Sequence, residues 1–255
     1  MDASTTPTPG GTHLVLDIGN TRTKAGLFTD GALAYTARWT GVPTAAILDW
    51  AYNQPITAAL LSTSGDQAAE LEAALRARQT TLRLDHRLRL PFHNGYTTPE
   101  TLGRDRLAGV AGAVGRFPGK NCLVIDAGTC ITLDLVTAAG DYLGGNISPG
   151  IRMRLRAMHA QTAALPLVAP APTAPALLGV STETALQNGG QLGAILEIEA
   201  FIRRCTAQYP DLHVLMTGGD GEWLGHQLKT KIFALPNLVL LGLHEILLLN
   251  VASKS

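Results

Sequence analysis

Cysteine is scarce in this chain, and its scarcity excludes two kinds of scaffold. Cys122, Cys130 and Cys205 are the only three in 255 residues. They are too few and too scattered for a disulfide framework. No Cys-x-x-Cys or His-Glu-x-x-His pattern occurs, so a zinc site has no support. Net charge is also missing: 20 basic residues face 20 acidic ones. That balance offers no basic surface for nucleic acid, and the small cluster Arg83, Arg87, Arg89 reads as a solvated edge. Long apolar runs are lacking too. The most apolar stretch, Leu238 to Val251, contains His244, Glu245 and Asn250 and falls short of the ~20 apolar residues of a membrane helix. It reads as a buried strand, Leu238 to Leu240, followed by a helix. The opening MDASTTPTPGG has neither the basic start nor the apolar stretch of a signal peptide. Residues 1–11 read as a disordered tail, and the odd cysteine count fits a reducing cytoplasm. No membrane partner is expected.

The common nucleotide fingerprints are absent as well. No Gly-x-Gly-x-x-Gly follows an apolar strand. Gly119-Lys120 is not a P-loop, because the upstream glycine is missing and Asn121 stands where Ser or Thr is needed. Hydrophobic residues nevertheless make up 46% of the chain and charged residues 16%, which supports a substantial core.

What the chain does have is a repeat. LVLDIGNTRTK begins at Leu14 and LVIDAGTCITLD at Leu123. At one fixed offset Asp17 matches Asp126, Gly19 matches Gly128 and Thr23 matches Thr132. Each segment is an apolar run entering an Asp-x-Gly turn. Later apolar runs, with Asp30-Gly31 as a hairpin signal, read as further strands. A helix is expected after the capping-box pattern of Ser64 and Gln67, and another after Arg106. Thr182 to Cys205 reads as a long helix, and Ala163 to Pro175, rich in Ala and Pro, as a loop. The expected fold is α/β, with two duplicated actin-like (ribonuclease H-like) domains and a nucleotide cleft between them. The first domain should span residues 12–117 and the second 118–255.

The turns suggest phosphate chemistry. Small residues let backbone N–H groups approach a phosphate closely. Asn20, Thr21 and Thr23 can add side-chain donors, and Lys24 a positive charge. A carboxylate such as Asp17 repels phosphate directly and would instead hold Mg²⁺ through water.

Asp17-Ile18-Gly19-Asn20-Thr21 resembles the first phosphate motif of the acetate kinase, sugar kinase, Hsp70 and actin superfamily. Asp126-Ala127-Gly128-Thr129 resembles the second, and Thr217-Gly218-Gly219 the adenosine motif. Within that superfamily the chain resembles type III pantothenate kinase. Gly103-Arg104-Asp105-Arg106 is similar to that family's Gly-x-Asp-Arg motif. Gly144 to Gly150 is similar to its Gly-Gly-x-Ile-x-Pro-Gly loop. Leu165-Pro166 and the segment Gly179 to Gly189 follow in the family's order.

The resemblance implies phosphorylation of pantothenate by ATP, the first step of coenzyme A synthesis, by a cytoplasmic homodimer. Asp105 would accept the proton of the substrate hydroxyl. Tyr96, Gly103, Arg104, Asp105, Arg106 and Thr182 would line the pantothenate site. Arg106 would either bind the substrate carboxylate or orient Asp105. Asp17, Ile18, Gly19, Asn20, Thr21, Arg22, Thr23, Lys24 and Thr129 would contact ATP. Asp126 would hold a monovalent cation, K⁺ or NH4⁺. Three rival readings share the fold: a non-catalytic regulator of transcription, a kinase for another small molecule, and an ATP-binding interaction module in the manner of a chaperone.

Overall fold

The computed structural model describes residues 10–63 and 65–251. The chain divides into two compact units, residues 1–116 with 237–255, and residues 117–236. The expected tail therefore lies outside the described residues except for Gly10 and Gly11, and so does Ser64 of the expected capping box. The helix there begins only at Ala69, with Ala68 at its N-cap and no side-chain cap.

The first unit runs β1 (Thr12–Ile18), β2 (Arg22–Thr29), β3 (Ala32–Thr40), α1 (Thr44–Ala51), β4 (Ile56–Thr63), α2 (Ala69–Arg76), β5 (Thr80–Arg83), the two-residue β6 (His93–Asn94) and α3 (Arg104–Arg116). Its sheet has the order β3-β2-β1-β4-β5. β1 is antiparallel to β2, and β2 to β3, whereas β4 and β5 run parallel to β1. Asp30 and Gly31 both take positive φ, 49° and 81°, as a tight primed hairpin turn requires.

The second unit runs β7 (Cys122–Ala127), β8 (Cys130–Val136), β9 (Asp141–Pro149), α4 (Ile151–Ala160), α5 (Thr182–Gln208), β10 (His213–Thr217), α6 (Gly221–Gln227) and β11 (Phe233–Ala234). Its strands lie in the order β9-β8-β7-β10-β11. β7 and β8 are antiparallel, as are β8 and β9, and β10 and β11 continue parallel to β7. Strand order and direction thus repeat those of the first unit. The duplicated α/β expectation holds at the level of topology.

Central strands buried on both faces read as unbroken apolar runs. In β1, Leu14, Leu16 and Ile18 pack with Ile47, Ala51, Leu71 and Leu75 of α1 and α2. Leu123 and Ile125 of β7 join Ile151 and Leu155 of α4 and Ile195, Ile198 and Ile202 of α5.

The last helix, α7 (Leu238–Val251), corrects two expectations. Leu238 to Leu240 is its first turn and not a strand; the strand before it is the short β11. The helix also belongs to the first unit, although residues 118–255 read as one domain. Its apolar residues surround the helix on all sides, and it packs on α3. Gly112 and Gly242 permit this: a Cβ at Gly242 would stand 1.7 Å from the Ala108 carbonyl oxygen, and one at Gly112 would stand 2.5 Å from that of Leu238.

α7 also brings His244 against His13 of β1. Nδ1 of His13 lies 3.1 Å from Nε2 of His244. His244 stacks on Phe28 with ring centroids 3.9 Å apart. Burial, then the nearby His13, holds the His244 imidazole down to about 3. Burial lowers His13 as well. The unfolded chain protonates both near pH 6.5. Depressed folded values mean that the unfolded state binds more protons below that pH, so stability falls as pH falls. Glu245, raised by burial, contributes with the opposite sign, since its stabilising contribution is lost as pH rises. From His244 alone the first unit should lose roughly 2 kcal/mol between pH 7 and pH 5. Urea unfolding across that range measures the loss, and His244→Asn should flatten it. An unchanged slope in that variant would count against the assignment.

Candidate functional site

Each Asp-x-Gly turn closes the hairpin at the head of its unit. Asp17 stands opposite Lys24 across β1 and β2, and the Gly19 N–H donates to the Arg22 carbonyl at 3.0 Å. Asp126 stands opposite Thr132, and the Gly128 N–H donates to the Cys130 carbonyl at 2.8 Å. The second turn is one residue shorter. Thr132 therefore occupies the place of Lys24, not of Thr23, and the fixed sequence offset fails beyond the turn. Only the first copy carries a lysine facing its aspartate.

The residues of the first turn differ in what they expose. Gly19, Asn20, Thr21 and Arg22 are exposed, whereas Ile18 is buried in the core. Thr23 is buried too, and its hydroxyl donates to the Gly41 carbonyl at 2.6 Å. That proton is committed within the fold, which corrects the reading of Thr23 as a free donor. Gln67 steadies the turn by donating to the Gly19 carbonyl at 3.3 Å.

The second turn is clasped by two glycine loops. The Gly150 N–H donates to the Thr129 carbonyl at 3.1 Å, and the Asp220 N–H donates to the Ala127 carbonyl at 2.9 Å. Only glycine fits at either crossing. A Cβ at Gly150 would meet the Gly128 carbonyl oxygen at 2.2 Å. At Gly218, whose φ is 94°, it would meet the Ala127 carbonyl oxygen at 2.3 Å and Oδ1 of Asp126 at 2.5 Å. One carboxylate oxygen of Asp126 thus packs close to the Gly218 backbone, near the Ala127 carbonyl. Oxygen donors of that kind suit a hard cation. Among the described residues no group of three or more His, Cys, Asp or Glu could hold a metal.

The third constellation begins α3. Asp105 is exposed in the helix's first turn, where Oδ1 accepts from the Arg106 N–H at 2.9 Å. A carboxylate is favoured at a helix N-terminus, so the sequence places it there cheaply. Arg106 is only 6% exposed, and its guanidinium lies 5.5 Å from the centroid of the Tyr96 ring. The structure thus brings Tyr96, Asp105 and Arg106 together. Arg104 serves the scaffold: its Nε donates to the Leu84 carbonyl at 2.7 Å, and its Nη1 donates to the Thr63 carbonyl. These bonds tie α3 to the ends of β4 and β5, and they account for Arg104 without a substrate. Thr182 is the exposed first residue of α5, behind a capping box of Ser181 and Thr184.

Sequence reasoning passed over a cleft of about 310 Å³ in the second unit. Arg152, Pro170 to Pro172, Asp220 and Trp223 line it. On α4, the exposed Arg152 donates to Asp220 at 2.9 Å, and Arg154 pairs with Glu197. The signal available was the position of Arg152 and Asp220, each two residues beyond a clasping glycine.

Two sheets of one topology, each with an Asp-x-Gly turn after its first strand, define the actin-like kinase fold. Solved structures agree. A ROK family glucokinase from Streptomyces griseus, solved with glucose and AMPPNP, matches with a TM-score of 0.52 at 12% identity, covering 93% of this chain and 99% of that one. A proposed Baf family transcriptional activator from Campylobacter jejuni matches with a TM-score of 0.61 at 20% identity, covering 91% and 96%. Within that fold the chain belongs to the type III pantothenate kinase family, whose model matches residues 13–204. A type III pantothenate kinase of Christiangramia forsetii is 47% identical over 76% of this chain and 80% of its own length. One from Bacteroides fragilis is 41% identical over 93% and 98%. Among the described residues no helix is long and apolar enough to cross a membrane.

Proposed function

We propose that this protein transfers the γ-phosphoryl group of ATP to the primary hydroxyl of pantothenate, giving 4′-phosphopantothenate and ADP. The observation that carries the reading is the grouping of Tyr96, Asp105 and Arg106 on a chain of this family. Asp105 is exposed at the head of α3, so its outer carboxylate oxygen can accept the hydroxyl proton. Arg106, held beneath the Tyr96 ring, offers a fixed positive charge for the substrate carboxylate. The transition state of phosphoryl transfer is loose, so positioning and charge neutralisation dominate.

The exposed backbone of Gly19 to Arg22, with Lys24 and Thr129, contacts ATP. Mg²⁺, held by Asp17 through water, offsets the charge of the phosphates when bound. Asp126 holds K⁺ or NH4⁺ beside the second turn. The enzyme works in the cytoplasm as a homodimer. Leu177, Leu178 and Val180, 81%, 77% and 96% exposed just ahead of Thr182, supply an apolar surface for the second copy.

Purified protein should convert pantothenate and ATP to 4′-phosphopantothenate and ADP, and K⁺ or NH4⁺ should raise the rate. ATP turnover with a sugar but none with pantothenate would overturn the reading.

A further inference from the structure

We infer that Arg104 is a positioning residue for phosphoryl transfer. It ties the head of α3, and with it Asp105, to the strand ends that also carry the first Asp-x-Gly turn. The inference rests on the reading of Asp105 as proton acceptor and adds the side chain that sets its distance from the phosphate donor.

The anchor is a guanidinium fork. Arg104 opens α3; its Nε donates to the Leu84 carbonyl at 2.7 Å and its Nη1 to the Thr63 carbonyl. Thr63 and Leu84 are both buried. Thr63 is the last residue of β4, and Leu84 stands just past β5. The two strands run parallel, and the Leu84 N–H extends their ladder by donating to the Leu61 carbonyl at 2.8 Å. One rigid planar group therefore grips two neighbouring strands at once. A lysine ammonium, a point charge on a flexible stem, does not reproduce that grip.

Asp105 follows directly in the chain. Its Oδ1 is folded back onto the helix start: it accepts from the Arg106 N–H at 2.9 Å, and a Cβ at Gly103 would meet it at 2.6 Å. The carboxylate is thus fixed against the backbone of residues 103–106, and Arg104 fixes that backbone against the sheet.

The same strand ends reach the donor turn. β4 pairs with β1 up to Thr63, which stands opposite Ile18, one residue before Gly19. Beyond Thr63, Nη2 of Arg83 donates to the Gly65 carbonyl at 2.9 Å, and the Thr63 hydroxyl donates to the same oxygen at 3.2 Å. Gln67 then donates to the Gly19 carbonyl at 3.3 Å. All of these residues lie in the first unit. Strand pairing and the Gln67 amide therefore both lead from the Gly19 turn to Thr63, where Arg104 takes hold. Reacting groups misplaced by about 1 Å cost on the order of 10²-fold in rate, so a fork at this junction matters to turnover without touching substrate.

Steady-state kinetics separates positioning from substrate contact. Arg104→Leu should lower kcat by about 10–100-fold and leave KM for pantothenate and for ATP nearly unchanged. Arg104→Lys, able to satisfy one carbonyl at a time, should fall between that variant and the native enzyme, and it is the variant to read if Arg104→Leu unfolds. A raised KM for pantothenate with native kcat is the signature of lost uniform binding; it would make Arg104 a substrate contact and overturn the inference. Native kcat in every variant that folds would overturn it too, leaving a tie that serves stability alone. Asp105→Asn is assayed beside them. If it loses turnover while the Arg104 variants keep theirs, only the positioning role fails. If it keeps native turnover, the reading of Asp105 fails and this inference falls with it.

Discussion

Asp105→Asn is expected to lower turnover by about 10²–10⁴-fold, the usual cost of losing an acid–base group. The amide keeps the shape of the carboxylate, and its oxygen can still accept from the Arg106 N–H, the bond that Oδ1 makes at 2.9 Å. The variant should therefore fold. What it loses is an oxygen able to take a proton from the pantothenate hydroxyl, together with a negative charge at the head of α3. The charge is worth at most about 1 kcal/mol of helix stability on an exposed turn, too little to unfold the unit. KM for ATP should stay within a factor of a few, because the carboxylate has no role in nucleotide contact. Initial rates with pantothenate, paired with thermal unfolding, separate the two consequences. Near-normal turnover would remove Asp105 from the chemistry. A collapsed melting temperature would make it a structural residue and shift attention to Arg106.

The sequence showed the chemistry of this site more clearly than its supports. An Asp-x-Gly turn after an apolar run is a local pattern, so both copies could be read along with their fold. The equivalence of residues beyond the turn could not. One residue fewer in the second turn changes which side chain faces the aspartate, and only the strand register reveals it. The partners of Thr23 and Arg104 were hidden for a similar reason. Both carry donors suited to a ligand, and tertiary contacts claim them first, through the Gly41 carbonyl for one and those of Leu84 and Thr63 for the other. Leu238 to Leu240 is a short apolar run, which periodicity alone cannot assign to strand or helix. Its return to the first unit depends on α3, more than a hundred residues earlier. The cleft at Trp223 was invisible because its third wall is a Pro- and Ala-rich segment that looks like a linker. The buried amide of Gln191, which bonds both backbone groups of Ala171, gives that segment a shape, and nothing in its own composition does so.

Gly242→Ala is expected to destabilise the first unit by about 1–3 kcal/mol, the usual range for overpacking. Two effects oppose each other. Alanine improves helix propensity by roughly 1 kcal/mol over glycine. Against that, the new methyl would sit 1.7 Å from the Ala108 carbonyl oxygen and 2.6 Å from the Gly112 nitrogen. Both atoms are helical backbone, so no side-chain rotation can relieve the contact, and α7 must move away from α3. Moving it also disturbs His244, which lies two residues on, and its contacts with His13 and Phe28. The overpacking term should win, with urea midpoint and melting temperature falling together. Pantothenate kinase activity at low temperature should survive if α3 keeps its own first turn, because Asp105 lies ahead of both contact points, Ala108 and Gly112. Gly112→Ala tests the same contact from the facing helix, where the Leu238 carbonyl oxygen at 2.5 Å takes the place of Ala108. If the two helices share one tight crossing, the double variant should cost less than the sum of the singles, since a helix already displaced accommodates the second methyl. Strict additivity, or a rise in stability in either single variant, would show that α7 is not held by this crossing.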